Sequence, residues 1–286
     1  MGCPFPLFPQ ASGVLFRWKK LSMPKVFSIS LALYITCYAL EGLIRYGLHL
    51  VHADALIFVR DAVLLLPLLV MLIQQFLRRD VHPAYGIYAF VILLHGLVIL
   101  LNLKIIIPVI YCAKMLMTML AGAIGAKSIL SPGRWTLRLF LLLWCISWSG
   151  VLLDKYFVDF PWVGMEIDIG DVHVDISRDW QIGGADKRAG GFMRSSIHVS
   201  TLMPLLALVL LFNLRSVALR MAIAVLTVPA IVWTTQKGPL VAYALTLGLI
   251  TMMYKKPLPL LRAGVFFTVI MSVATPRRQA PMPPEK

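Results

Sequence analysis

The sequence predicts an all-α, polytopic bundle of about nine transmembrane helices with one larger polar loop on the outer side of the membrane. Hydrophobic residues make up 59% of the 286 residues and charged residues only 14%, whereas soluble domains usually carry about 25% charged residues. The mean hydropathy is +0.83. Apolar residues also occur in several runs of roughly 18 residues or more, which is long enough to cross a bilayer as a helix. These features exclude a soluble globular protein.

Five regions follow one another along the predicted chain. Residues 1–25 form an N-terminal segment, residues 26–153 hold spans one to five, and residues 154–198 form the polar loop. Residues 199–275 hold spans six to nine, and residues 276–286 form a tail whose proline-rich, polar composition predicts disorder.

The nine spans are predicted from the apolar runs, with boundaries uncertain by a few residues. Only Leu103 and Lys104 separate spans three and four, which predicts a tight helical hairpin. The predicted spans are residues 26–44, 57–77, 84–102, 105–125, 136–153, 199–214, 217–235, 239–254 and 260–275.

Lysine and arginine residues predict the orientation of the bundle, because they concentrate in alternate connecting segments. The positive-inside rule places these segments, and with them the N-terminus, in the cytoplasm. The polar loop then lies outside. The cytoplasmic set comprises Arg17, Lys19, Lys20, Lys25, Arg78, Arg79, Lys127, Arg134, Arg138, Arg215, Arg220, Lys255, Lys256 and Arg262.

The net charge of +14 does not predict binding to nucleic acid. The basic residues recur in short clusters between apolar runs, not in one patch with interleaved aromatic residues. The cysteines form no ligand cluster, and Cys37, Cys112 and Cys145 lie inside apolar runs, where we interpret them as small buried hydrophobic residues. No metal site and no cofactor are predicted.

Ionisable and polar residues inside the spans are costly to place in lipid and usually have a reason. Arg45 follows Glu41 by four residues, which favours an ion pair at a helix end. Lys114 has no carboxylate near it in sequence, so it either snorkels or faces a polar cavity. His95 and Asn102 share one helix face, which favours hydrogen bonds between helices.

The polar loop is acidic and contains a pattern typical of a strand. It holds eight of the 13 acidic residues of the chain. Between Met165 and Ile176 apolar and polar residues alternate, which predicts a strand or a short hairpin.

The end of the loop, directly before span six, carries a basic patch with two glycines. Arginine presents a fixed fork that matches phosphate oxygens, and glycines let backbone N–H groups approach an anion. The patch suits a phosphate site. The alternative is an ordinary charged loop that anchors a helix to lipid headgroups. The residues concerned are Arg188, Gly190, Gly191, Arg194 and His198.

A second patch, residues 233–243, lies at the outer turn between spans seven and eight. Lys237 is the cation of this turn, and taken alone it could simply bind lipid phosphate. Gly238 and Pro239 follow it, as a tight turn between two helices requires.

Together, the two patches resemble the O-antigen ligase and polysaccharide polymerase family of bacterial envelope membrane proteins. Members show an Arg-x-x-Gly-x-Phe-like stretch just before a helix and, further along, a Ser-Arg-Gly or Ser-Lys-Gly turn that opens another helix. Residues 188–192 (RAGGF) approximate the first motif, displaced by one residue, and residues 236–240 (QKGPL) approximate the second. The resemblance covers residues 186–250.

The resemblance implies a metal-independent glycosyltransferase, a ligase or a polymerase, in the bacterial inner membrane. Its donor would be a polyprenyl-diphosphate-linked oligosaccharide, and it would serve envelope or exopolysaccharide assembly. Membrane lipid and other polysaccharide assembly proteins are the further expected partners. An acceptor sugar hydroxyl would attack the anomeric carbon, and the lipid diphosphate would leave.

The resemblance also assigns roles to residues. Cations can neutralise the diphosphate without a metal, so the expected substrate-binding residues are Arg188, Arg194, Gly190, Gly191, Lys237 and Gly238.

The acceptor hydroxyl needs a base, for which His198 and His173 are the candidates. Asp171 and Asp175 flank His173 and could orient it. Trp162 and Trp180 could stack on sugar faces or anchor the loop at the membrane interface.

The chain departs from the family pattern after span nine. Members usually continue with another large outer loop that bears a histidine, and with further spans. We therefore expect that His198 or His173 has taken over, that the chain acts with a partner, or that it is a truncated, non-catalytic remnant. The rival function from another class is a transporter or an accessory subunit of polysaccharide export, with Lys114 and His95 lining a path.

Overall fold

The computed structural model describes residues 24–54, 56, 59–77, 83–104, 106–130, 132–169, 172–175 and 188–253. This part of the chain forms a helical bundle and one short β-hairpin. The predicted ninth span, residues 260–275, and the tail, residues 276–286, lie outside the described residues. The helices are α1 Pro24–Ala39, α2 Glu41–Leu50, α3 Val59–Leu77, α4 Pro83–Leu103, α5 Ile106–Leu130, α6 Arg134–Tyr156, α7 Ser196–Asn213, α8 Val217–Trp233 and α9 Lys237–Met253.

Several of these helices have the length and composition of membrane spans, which supports the predicted helical membrane bundle but not the predicted count of nine spans. Five helices qualify, or six when α1 and α2 are taken as one bent span. The helices α8 and α9 are apolar but have 17 residues each. At 1.5 Å per residue they are about 26 Å long, slightly less than the roughly 30 Å hydrocarbon core.

The first predicted span, residues 26–44, is not one straight helix. It breaks at Leu40, and α2 turns away from α1 by 77°. The backbone N–H groups of Gly42 and Leu43 donate to the carbonyl of Phe192 at 2.9 and 3.3 Å, not to carbonyls of α1. Because a distant segment takes these N–H groups, the α1 ladder cannot continue through them.

The buried core lies among α1, α3 and α6–α9, whereas α4 lies at the edge of the bundle. None of the residues in the apolar stretch Tyr85–Asn102 of α4 is buried, and α4 packs against α5 through the hairpin predicted at Lys104. His95 and Asn102 each bond a carbonyl of their own helix, those of Val91 and Val98. These are intrahelical bonds, where we expected bonds between helices.

The alternating segment of the polar loop forms the predicted hairpin. Strands β1 (Glu166–Ile169) and β2 (Val172–Asp175) pair antiparallel, with Asp168 opposite His173.

Four parts of the chain meet at one end of the bundle. They are α2, the C-terminal ends of α6 and α8, and residues 188–195, and we call this place the loop end. All four belong to the side that the lysine and arginine distribution predicts to be external.

Candidate functional site

Residues 188–195, which we call the docked segment, are attached to α6 through the carboxylate of Asp154. The backbone N–H groups of Gly190 and Gly191 donate to Oδ2 of Asp154 at 2.7 and 2.8 Å. Asp154 is only 2% exposed, and charge-assisted bonds of this kind are strong away from water. The N–H groups that the sequence predicted to approach a phosphate therefore hold a carboxylate of the protein itself.

The glycines of the docked segment allow its backbone to touch α6. Gly191 has a φ of +58°, in the left-handed region. A Cβ at this position would lie 2.9 Å from the carbonyl carbon of Gly150 and from the nitrogen of Val151. A Cβ at Gly150 would in turn lie 2.5 Å from the ring of Phe192. Close backbone approach is thus the structural role of these glycines.

The docked segment also fixes the position of His198 in the first turn of α7. Ser195 is the N-cap residue, and its side chain accepts from the backbone N–H of His198. The Ser195 Oγ lies 3.3 Å from Nδ1 of the His198 ring. The ring also meets the ring of Tyr38 of α1 edge-on, at a centroid distance of 4.7 Å. A ring held in this way has the defined orientation that a general base requires.

Five charged side chains of alternating sign join α2, α3 and α5. Glu41 pairs through Oε1 with Arg45 at 2.6 Å and through Oε2 with Arg60 at 2.5 Å. Asp61 contacts Arg60 at 3.2 Å and Nζ of Lys114 at 2.5 Å. We call this series, Arg45–Glu41–Arg60–Asp61–Lys114, the ion chain. The predicted Glu41–Arg45 pair is confirmed, and Lys114 has a carboxylate partner that is distant in sequence.

Arg194 of the docked segment adds positive charge beside the ion chain. Its guanidinium is close enough to that of Arg45 for the two charges to repel. The His198 ring lies within reach of the charges of Glu41, Arg45, Arg60 and Arg194. Arg194 therefore adds a guanidinium to the described charges around the ion chain, and guanidinium groups favour anionic ligands.

The two patches that carry the family resemblance adjoin at the loop end. Arg188 is half-buried at the start of the docked segment, and the N–H of the next residue, Ala189, donates to the carbonyl of Trp233 at 3.2 Å. Lys237 is exposed as the first residue of α9. A Cβ added at Gly238 would meet nothing within 4 Å, so packing does not require a glycine there.

The second candidate base is described only in part. His173 lies in β2, and the side chains of that strand lie outside the described residues, as do Asp171 and Trp180.

Trp162 does not offer a face for a sugar. The ring is 5% exposed and stacks on Phe160 at a centroid distance of 4.5 Å. Tyr46 and Phe192 pack beside it, at 5.7 and 6.4 Å. This aromatic cluster joins α2 to the docked segment. Its packing within the protein covers the ring that could have stacked on a sugar.

Sequence reasoning missed Arg60, Asp61, Asp154 and Tyr38. Asp154 was assigned to the polar loop because it stands at the end of an apolar run, and Arg60 and Asp61 lie near the start of the predicted span 57–77, where neither was singled out. A signal was present at Asp154, since a carboxylate at a helix C-terminus is disfavoured by the helix dipole and needs a compensating partner. Tyr38 gave no signal, because one tyrosine in an apolar run is ordinary.

No family model matches the chain, and no curated protein and no solved structure matches it either. Proposals about its function therefore rest on its residues and their geometry.

Proposed function

We propose that the chain is a metal-independent membrane glycosyltransferase of the O-antigen ligase or polymerase type, acting on a polyprenyl-diphosphate-linked glycan. One observation carries the proposal. The docked segment leads into His198, whose ring contacts the Tyr38 ring at a centroid distance of 4.7 Å, and the Arg60 guanidinium lies 5.9 Å from the centroid of the same Tyr38 ring. Guanidinium groups for a diphosphate and a base for a hydroxyl are the two requirements of this reaction.

The proposed reaction is a displacement at the anomeric carbon. The acceptor hydroxyl oxygen forms the new glycosidic bond while the bond from that carbon to the diphosphate oxygen breaks. The diphosphate leaves with the electron pair, and arginine side chains stabilise its charge. His198 accepts the hydroxyl proton at Nε2, because Ser195 Oγ occupies the side of Nδ1. His173 is the alternative acceptor.

Arg188 and Lys237 extend the proposed phosphate site from the rim of the loop end. Arg188→Ala and Lys237→Ala should each lower the amount of glycan product at least about tenfold, since a lost charged hydrogen bond costs about 1.5–3 kcal/mol. Arg188→Lys should also be impaired, because an ammonium group does not reproduce bidentate phosphate contacts.

The measurement is a gel of surface polysaccharide from a gene deletion strain complemented with each variant, at matched protein abundance. Arg134→Ala is the control, because Arg134 is an exposed cation at the opposite end of α6. Lost or shortened chains are expected in the deletion strain and in the three site variants, and normal chains in the control. Normal polysaccharide in both alanine variants would remove Arg188 and Lys237 from the site.

The ion chain favours a second candidate function, a transporter or accessory subunit of polysaccharide export. Charged networks inside membrane helices commonly mark transport paths, and this one joins α2, α3 and α5. The two functions differ in one observable. A transporter moves the lipid-linked glycan without forming a glycosidic bond, whereas a purified transferase forms that bond.

A further inference from the structure

A cavity of about 290 Å³ lies between the end of α1, α2 and the start of α3. Its volume is near the lower end of the roughly 300–1,000 Å³ that ligand sites occupy. Glu41, Arg45 and Arg60 of the ion chain contribute to its wall. The apolar part of the wall consists of Ile44, Leu48, Leu56 and Val59.

The mouth of this cavity is apolar. Ile44, Leu56 and Val59 line the cavity and are also 38%, 51% and 48% exposed. The outward face of α2 continues this surface, because Leu50 is 62% exposed. Exposed aliphatic side chains of a membrane protein favour hydrocarbon over water, so an apolar mouth of this kind suits entry from lipid.

The orientation of α2 is the reverse of that of a surface helix in a soluble protein. Its charged residues Glu41 and Arg45 are buried against the bundle, while Leu43 and Leu50 point outwards. A helix that follows a 77° bend and presents its apolar face outwards fits a position at the boundary between headgroups and acyl chains.

The charge of the wall selects the head group of a ligand. At the cavity wall Arg45 and Arg60 both pair with Glu41, and Arg60 also contacts Asp61, which is not part of the wall. The charge of Arg194 adds to that of Arg45. Guanidinium groups match phosphate oxygens in both charge and shape. A wall with this charge and an apolar mouth suits an amphiphile with a phosphate head.

We infer that this cavity binds a single-chain lipid phosphate that enters sideways from the bilayer. The phosphate contacts Arg45 and Arg60, and the first carbons of the chain lie along Leu48 and Leu56. The small volume favours one chain over the two acyl chains of a bilayer phospholipid. The inference rests on the proposed function, in that it names where the donor lipid binds, but its test requires no glycan transfer.

The test measures binding of radiolabelled farnesyl diphosphate to the full chain in detergent micelles. The wild type should bind it saturably, and Leu48→Trp and Val59→Phe, which fill the cavity without changing charge, should each weaken binding at least about tenfold. Leu66→Trp is the matched control, because Leu66 is an exposed leucine of α3 outside the cavity wall. Size-exclusion profiles and melting temperatures establish that the variants are folded.

Competitors identify which part of the ligand is recognised. Inorganic diphosphate should compete only weakly, and phosphatidylglycerol should compete less well than unlabelled farnesyl diphosphate. Unchanged binding in folded Leu48→Trp and Val59→Phe would overturn the inference, as would equal competition by inorganic diphosphate or by phosphatidylglycerol. Binding with the expected variant pattern but without glycan transfer would retain the cavity and reject the transferase. Glycan transfer that is unchanged in Leu48→Trp and Val59→Phe would reject the cavity as the lipid site and retain the transferase.

Discussion

The single residue Asp154 holds the docked segment, and with it the proposed base, in position. Its carboxylate is buried at the end of α6 and accepts two backbone N–H groups from the docked segment. The same segment continues into Ser195 and His198. The position of the proposed base therefore depends on a carboxylate that takes no part in the chemistry.

Asp154→Ala should destabilise the protein and displace the docked segment. It leaves the N–H groups of Gly190 and Gly191 without this acceptor, at a cost of about 1–3 kcal/mol for each group that stays buried and unpaired. Asp154→Asn should cost less, because an amide oxygen can still accept both bonds. The measurement is thermal unfolding in detergent, with Glu166→Gln at an exposed position of β1 as control. Equal melting temperatures for wild type and Asp154→Ala would show that the segment does not depend on this carboxylate.

Residue types alone located part of this site. The basic patch before α7 was found because arginine, glycine and histidine stood together at the start of an apolar run. The partner of the two glycines was not found, because Asp154 is 36 residues before Gly190 in the chain. Only the packing of the docked segment on α6 brings them together.

Among the elements, the ion chain joins helices α2, α3 and α5 inside the membrane region. Lys114 is 29% exposed and pairs with Asp61. Its removal leaves Asp61 with Arg60, so the carboxylate keeps one cation. Removing one partner of a fully buried ion pair lowers the free energy of unfolding by about 3–5 kcal/mol. The loss should be smaller at Lys114, because its side chain is partly exposed.

Lys114→Met should therefore lower the free energy of unfolding by about 1–2 kcal/mol. In a double-mutant cycle with Asp61→Asn, the two losses should be less than additive, because both variants remove the same contact. Lys104→Met, at an exposed position in the hairpin between α4 and α5, should change the free energy of unfolding little. Additive losses at Lys114 and Asp61 would mean that their contact contributes nothing to stability.

Sequence periodicity and hydropathy predicted where the helices lie, but not where a helix bends. The apolar runs predicted as spans two to eight coincide with helices α3 to α9 within about five residues, because long apolar runs form helices whose length follows the bilayer thickness. Of these helices, α8 and α9 are shorter than a full span. The break at Leu40 could not be read from residues 26–44, which contain no proline. It is caused by the Phe192 carbonyl, about 150 positions later, which takes N–H groups from Gly42 and Leu43.

For the whole molecule, the loop end should face outwards. In the sequence most lysine and arginine residues fall in the connections that alternate with the polar loop, and cytoplasmic connections are rich in these residues. A reporter fused after Asp175 should therefore be external, and one fused after Arg134 cytoplasmic, because α6 lies between them and has the length and composition of a span. Alkaline phosphatase and green fluorescent protein fusions read the two sides. The same side for both fusions would contradict the assignment of α6 as a span.

Glycan transfer by the purified chain tests the central claim most directly. The reaction contains the protein in lipid, a polyprenyl-diphosphate-linked glycan, an acceptor and a chelator of divalent metals. We expect turnover by the wild type, a loss of about 10²-fold or more in His198→Ala, and a smaller effect of His173→Ala. Turnover that survives both substitutions would eliminate both base assignments. No turnover by the wild type would contradict the proposed transferase and favour a chain that acts with a partner or as a non-catalytic remnant.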